Sequence, residues 1–157
     1  IHAVVHAHPT YATGFATARI SLSECVFPEV IVGLGAIPLA AYATPSTKEV
    51  STALTPFVQT ADAILLSNHG VVTYGENVDD AYFKMEKVEH AAHIAFVARM
   101  LGGEKVLTEQ DIAKLRAISE TSYGKDFSQK IVCEPEPRQD ISDEESIRKM
   151  IREILQK

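Results

Sequence analysis

One stretch leaves little freedom of fold. Ala61 to Ser67 carries Ala63, Ile64, Leu65 and Leu66 without a polar interruption, and after Asn68-His69-Gly70 the apolar character resumes from Val71 to Tyr74. A continuous apolar run of this length is the mark of a strand covered on both faces. Gly75-Glu76 ends it. Asn77 then caps a long helix, with Asp79 and Asp80 in the first turn where the dipole favours anions. The spacing predicts an apolar helix face of Val78, Ala81, Tyr82, Met85, Val88, Ala92, Ala95 and Phe96, stopped by Gly102-Gly103. Such a unit in a chain of 157 residues, 46% hydrophobic and 23% charged, predicts one globular domain with room for a core.

The flanking segments are less sharply marked. Ile1 to His8 is a short β-branched run closed by Pro9, read as a buried strand. Thr10 to about Ser23 suits a close-packed helix around Gly14, while Phe27 to Leu34 fits either helix or strand. Ile37 to Tyr42 reads as a strand, followed by a helix capped at Ser46 or Thr47 and running to about Gln59 with an interruption at Pro56. A further helix is expected from Thr108 to about Glu120. Glu134 to Asp140 is charged and proline-rich, a linker by composition. Beyond it Ile147, Met150, Ile151, Ile154 and Leu155 form a narrow apolar stripe on a last helix. The expected organisation is a domain over 1–133, a linker over 134–140 and an amphipathic tail helix over 141–157.

Charge and apolar content exclude several roles. Fifteen Lys and Arg against twenty-one Asp and Glu give a net charge of -6, with no cationic excess to neutralise nucleic-acid phosphates. The longest apolar stretches, Val26 to Tyr42 and Ala91 to Leu101, are too interrupted to span a bilayer, and the tail helix lacks the basic face of a membrane-surface helix. Cys25 and Cys133 are far apart in the sequence, so no disulfide and a reducing cytoplasm are expected.

The chemistry concentrates in histidine. His6 and His8 lie one residue apart on a strand, so both rings leave the same face about 7 Å apart along the backbone, a span that two imidazoles can close on one ion. His69 interrupts a buried apolar run, where a titratable ring is costly unless satisfied, and a metal satisfies it. Three imidazoles suit Zn²⁺, leaving a fourth position for carboxylate, water or substrate; hydrogen-bonded structural histidines are the alternative. By alternation His2 shares the face of His6 and His8, in a supporting rather than ligating role. His90 and His93 sit three apart on the long helix without the metalloprotease order. No phosphate-binding glycine loop and no nucleophile elbow occur.

The run Ala3-Val4-Val5-His6-Ala7-His8-Pro9, then Leu65-Leu66-Ser67-Asn68-His69-Gly70-Val71-Val72 and the helix from Asn77, resembles the class II aldolase/adducin family, in particular its L-fuculose-phosphate aldolase branch, over roughly Ile1 to Phe127. The resemblance implies a three-layer α/β/α sandwich with a largely antiparallel central sheet, assembled as a homotetramer. It implies a catalytic Zn²⁺ held by His6, His8 and His69, and a tyrosine near the C-terminus that reaches the neighbouring subunit's site for proton transfer, a role that falls to Tyr123. The implied reaction is retro-aldol cleavage of a phosphorylated ketose, L-fuculose 1-phosphate foremost, to dihydroxyacetone phosphate and lactaldehyde, with zinc as the Lewis acid. A sugar-phosphate epimerase or dehydratase on the same fold, or a non-catalytic adducin-like interaction domain, are the alternatives. The family's catalytic glutamate and phosphate-binding loops precede the His-x-His pair, so the sequence is expected to be part of a longer polypeptide. The linker and tail helix are similar to encapsulation peptides of bacterial microcompartment enzymes, which implies shell or cargo contact through 141–157; packing on the protein's own oligomer is the alternative.

Overall fold

Residues 1–133 are described by a computed structural model, and they form a four-stranded sheet in the order β1-β4-β3-β2. The strands are β1 (Ala3–Ala7), β2 (Leu39–Ala40), β3 (Ala63–Leu66) and β4 (Gly70–Gly75). β3 and β4 are an antiparallel hairpin, β1 is antiparallel to β4, and β2 alone runs parallel to its neighbour β3. The largely antiparallel α/β architecture expected from the sequence is therefore present. The expected linker over 134–140 and tail helix over 141–157 lie outside the described residues.

Period-two alternation assigns the strand side chains to two layers. On one face Val5, Ala7, Ala63, Leu65 and Val71 meet Ala12, Phe15 and Ala16 of α1 (Thr10–Thr17) and Met85, Val88, Ala92 and Ala95 of α4 (Val78–Met100). On the other, Ile64, Leu66, Val72 and Tyr74 meet Leu54 at the end of α3 (Lys48–Leu54), Phe57 in the turn after it, and Ile131. All four β3 residues are buried, as a strand covered on both faces must be. A smaller cluster joins Ile31 of α2 (Pro28–Gly33) to Ile112 of α5 (Glu109–Tyr123).

Helix starts follow the capping chemistry in the sequence. Asn77 Oδ1 accepts from Asp80 N at 2.9 Å, Thr47 Oγ1 from Glu49 N at 3.2 Å and Thr108 Oγ1 from Asp111 N at 3.2 Å. Pro28 at the first turn of α2 decides that ambiguous segment in favour of helix, since its fixed φ suits that position.

Several expectations need correction. α1 stops at Thr17, short of Ser23, because the chain turns at Arg19, whose φ is 57°. α3 ends at Leu54 rather than Gln59, since Pro56 has no N–H to continue it. The buried stripe of α4 is Ala81, Met85, Val88, Ala91, Ala92 and Ala95, while Val78, Tyr82 and Phe96 are exposed. A stripe of alanines lets α4 lie close on α1 and the sheet, and the larger side chains are turned away from that approach. β1 is not covered on both faces either: Val4 is 63% exposed.

The cysteine expectation is also overturned. Cys25 and Cys133 form a disulfide with Cα atoms 5.2 Å apart across a sequence separation of 108. Distance along the chain was a poor guide, because Cys133 is delivered to this place by backbone pairing: its N–H donates to Gly35 O at 3.2 Å and that of Leu107 to Cys25 O at 2.8 Å. The argument for a reducing compartment from unpaired thiols falls with it.

Candidate metal centre

His6 on β1 and His8 immediately after it occupy the outer, even-numbered side, opposite Val5 and Ala7. His69 comes from the tight turn between β3 and β4, not from mid-strand as its apolar surroundings suggest. Antiparallel pairing of β1 with β4 sets Ala7 opposite Val71 and His6 opposite Val72, which carries the His-x-His pair to the turn. The ring centroids lie 4.9 Å (His6–His8), 4.8 Å (His6–His69) and 5.0 Å (His8–His69) apart. One nitrogen from each ring lies within 4.8 Å of the others, so the three imidazoles expected from the sequence do converge.

Each residue of Asn68-His69-Gly70 has a physical task. Asn68 adopts φ 58°, a left-handed conformation that asparagine tolerates better than most residues. It also fastens the turn to α1: its N–H donates to Ala16 O at 3.1 Å, its side-chain amide to Thr17 O at 3.4 Å, and its Oδ1 accepts from Arg19 Nε at 3.2 Å. Gly70 gives the clearance. A Cβ there would lie 2.5 Å from both Ala7 O and His8 Cδ2, closer than side-chain carbons approach.

The protonation chemistry fits a cation. His6 Nδ1 lies 2.9 Å from Val71 O, and since a carbonyl only accepts, that nitrogen carries the hydrogen and leaves Nε2 as the lone-pair donor. Desolvation, together with the charges of His6 and His8, holds His69 below the ordinary histidine range, favouring the neutral ring that ligates. Among the described residues the group consists of imidazoles alone, a donor set that suits Zn²⁺ and leaves coordination positions open for oxygen ligands.

The other singled-out residues are elsewhere. Tyr123, 64% exposed at the end of α5, lines a cavity of about 310 Å³ with Glu29, Lys87 and Lys125, and no histidine of the cluster borders that cavity. His2 pairs its backbone N–H with Gly75 O at 2.9 Å and is outside the three-ring group. His93 stacks on Tyr11 with ring centroids 4.0 Å apart, and His90 faces Phe27. Sequence reasoning missed Glu89, whose carboxylate reaches α1, and the roles of Asn68 and Gly70.

An α/β sheet with three imidazoles gathered at an edge strand and a hairpin turn is a site that could hold a metal ion. Residues 1–96 match the family described as Class II Aldolase and Adducin N-terminal domain, and the chain belongs to that family. It is 34% identical over 121 residues to the 3-oxo-tetronate 4-phosphate decarboxylase of Escherichia coli strain K12, covering 73% of this chain and 56% of that one. To the L-fuculose phosphate aldolase of Methanococcus maripaludis strain C5 it is 32% identical over 102 residues, covering 65% and 55%. A solved L-fuculose 1-phosphate aldolase superposes with a TM-score of 0.62 at 31% identity over 73% of this chain and 53% of that one. The chain thus spans about half the length of the relatives it matches.

Proposed function

We propose that this chain supplies the metal-binding half of an active site that breaks a carbon–carbon bond beside a carbonyl in a small phosphorylated sugar. The convergence of His6, His8 and His69 within 4.8 Å carries this reading. His6, His8 and His69 would hold a Zn²⁺, which would supply Lewis-acid polarisation of a carbonyl. The protein's part is orientation: the Val71 carbonyl fixes the His6 tautomer, partial burial keeps His69 neutral, and Gly70 gives the His8 ring its place.

L-fuculose 1-phosphate is the leading substrate. Cleavage of its C3–C4 bond leaves the electron pair on C3; the C4 hydroxyl proton departs to a base, and protonation at C3 completes dihydroxyacetone phosphate beside lactaldehyde. Tyr123 is the proposed proton-transfer phenol, acting on the site of a neighbouring subunit in a homotetramer; its 64% exposure supports a role outside its own core. Likeness to the decarboxylase favours a second reading, loss of carbon dioxide from 3-oxo-tetronate 4-phosphate, in which the electron pair also develops beside a carbonyl.

Purified full-length protein incubated with each compound separates the two. Release of dihydroxyacetone phosphate is expected from the first, release of carbon dioxide alone establishes the second, and neither product from metal-loaded protein defeats both. A cytoplasmic location within a bacterial microcompartment, through 141–157, rests on the tail's sequence. Deletion of that segment should abolish co-sedimentation of a fluorescent fusion with shells.

A further inference from the structure

We infer that Glu89 is a positioning residue of the metal centre, an assignment that rests on the metal-binding reading above. The helix α1 begins two residues after His8, at Thr10, and its Ncap residue, Pro9, offers no side-chain cap. Helix N-terminal amides left without partners are costly. Here the partner comes from α4: Glu89 Oε1 accepts from Tyr11 N at 3.0 Å and Oε2 from Ala12 N at 2.8 Å. A carboxylate in that place also complements the positive end of the helix dipole. One turn further along α4, His93 stacks on the Tyr11 ring, a second grip on the same first turn.

The consequence for the site follows from what holds each ring. His6 is anchored by the Val71 carbonyl, and the turn bearing His69 is fastened to the far end of α1 through Asn68. Among the described residues no hydrogen bond holds the His8 imidazole. Its direction is set by packing on Gly70 and against the His6 and His69 rings, and by the course of the chain through Pro9 into α1. That course is fixed by Glu89. The helix therefore acts as a strut between the two ligand-bearing segments, and Glu89 sets the end nearest His8.

Glu89→Ala and Glu89→Gln in the full-length protein, with Co²⁺ as the probe metal, test this. In Glu89→Ala the Tyr11 and Ala12 amides should exchange faster with solvent and the His8 ring resonances should shift more than those of His6, whose ring lies 4.9 Å away, already without metal. Co²⁺ affinity should fall about 10- to 100-fold with an altered visible spectrum. Glu89→Gln, which keeps one acceptor oxygen, should recover part of both. A Glu89→Ala protein that is less stable but retains the wild-type His8 resonances and cobalt spectrum overturns the proposal, since Glu89 would then be a structural cap only. Absence of cobalt uptake by the wild-type protein would instead defeat the metal-binding reading, and the exchange and His8 measurements would still decide the role of Glu89.

Discussion

The His8 ring rests on the bare Cα of Gly70: a Cβ added at position 70 would come within 2.5 Å of His8 Cδ2 and equally close to Ala7 O. One of these neighbours is backbone of the adjacent strand and cannot swing aside. Gly70→Ala should therefore displace His8 and abolish stoichiometric zinc uptake, with a loss of stability of about 1–3 kcal/mol from overpacking. Metal analysis together with a denaturation midpoint checks it. A variant that binds zinc as the wild type does would show that the strand yields at little expense.

Asp62 controls a pH response away from the metal site. Burial raises its carboxyl pKa, but the hydrogen bond and charge of Lys130 and the charge of Lys84 more than offset this and hold it below the ordinary aspartate range. Lys84 Nζ lies 3.2 Å from Asp62 Oδ2 and also reaches Asp80 at 3.0 Å. A lowered folded value means stability that is present above the unfolded pKa and lost as pH falls through the folded one. Asp62→Asn should cost about 1–3 kcal/mol near neutrality. Its deficit should shrink toward zero in acid, and urea midpoints measured between neutral pH and strong acid would show a constant deficit if this pairing were unimportant.

At the alkaline end the relevant group is Tyr74. Burial, with the charge of Asp62, pushes its phenol up to about 12, and its hydroxyl donates to Val58 O at 2.7 Å. A raised folded value means stability retained below the ordinary tyrosine value of about 10 and lost as pH rises toward the folded one. Absorbance titration should show one phenol ionising near 12, a step missing from Tyr74→Phe. Ionisation of every tyrosine near its ordinary value would contradict the burial.

The Cys25–Cys133 bond closes a loop of separation 108, for which the chain-entropy account gives about 4–5 kcal/mol of stabilisation. Cys133→Ser should lower the melting temperature by about 10–20 °C, and reductant should do the same to the wild type but not to the variant. Alkylation without reductant, followed by mass spectrometry, should find neither thiol modified.

What could be read from the sequence is what depends on local pattern. The burial of β3, the Asn77, Thr47 and Thr108 caps and the shared face of His6 and His8 all follow from the period of the side chains and from capping chemistry within three residues. The convergence of His69 on that pair depends on the register of β1 against β4, a contact across more than sixty residues that the family resemblance supplied and spacing could not. The disulfide and the carboxylate of Glu89 were hidden for the same reason. The misplaced α4 stripe had another cause: periodicity marks a direction on a helix, but not how near its neighbour comes, and alanine outcompeted the aromatics where the approach was close.

The pleat of β1 gives the metal site an all-or-none character. His6 and His8 share a face only because a single residue separates them, and Ala7 between them faces the helices. A one-residue insertion there would not shift a ligand by a few ångströms; it would turn one imidazole into the core and bring an apolar neighbour out in its place. Drift in this segment can therefore proceed by exchanging side chains, but not by changing its length, and the parity of the strand protects the spacing more strictly than any single contact does.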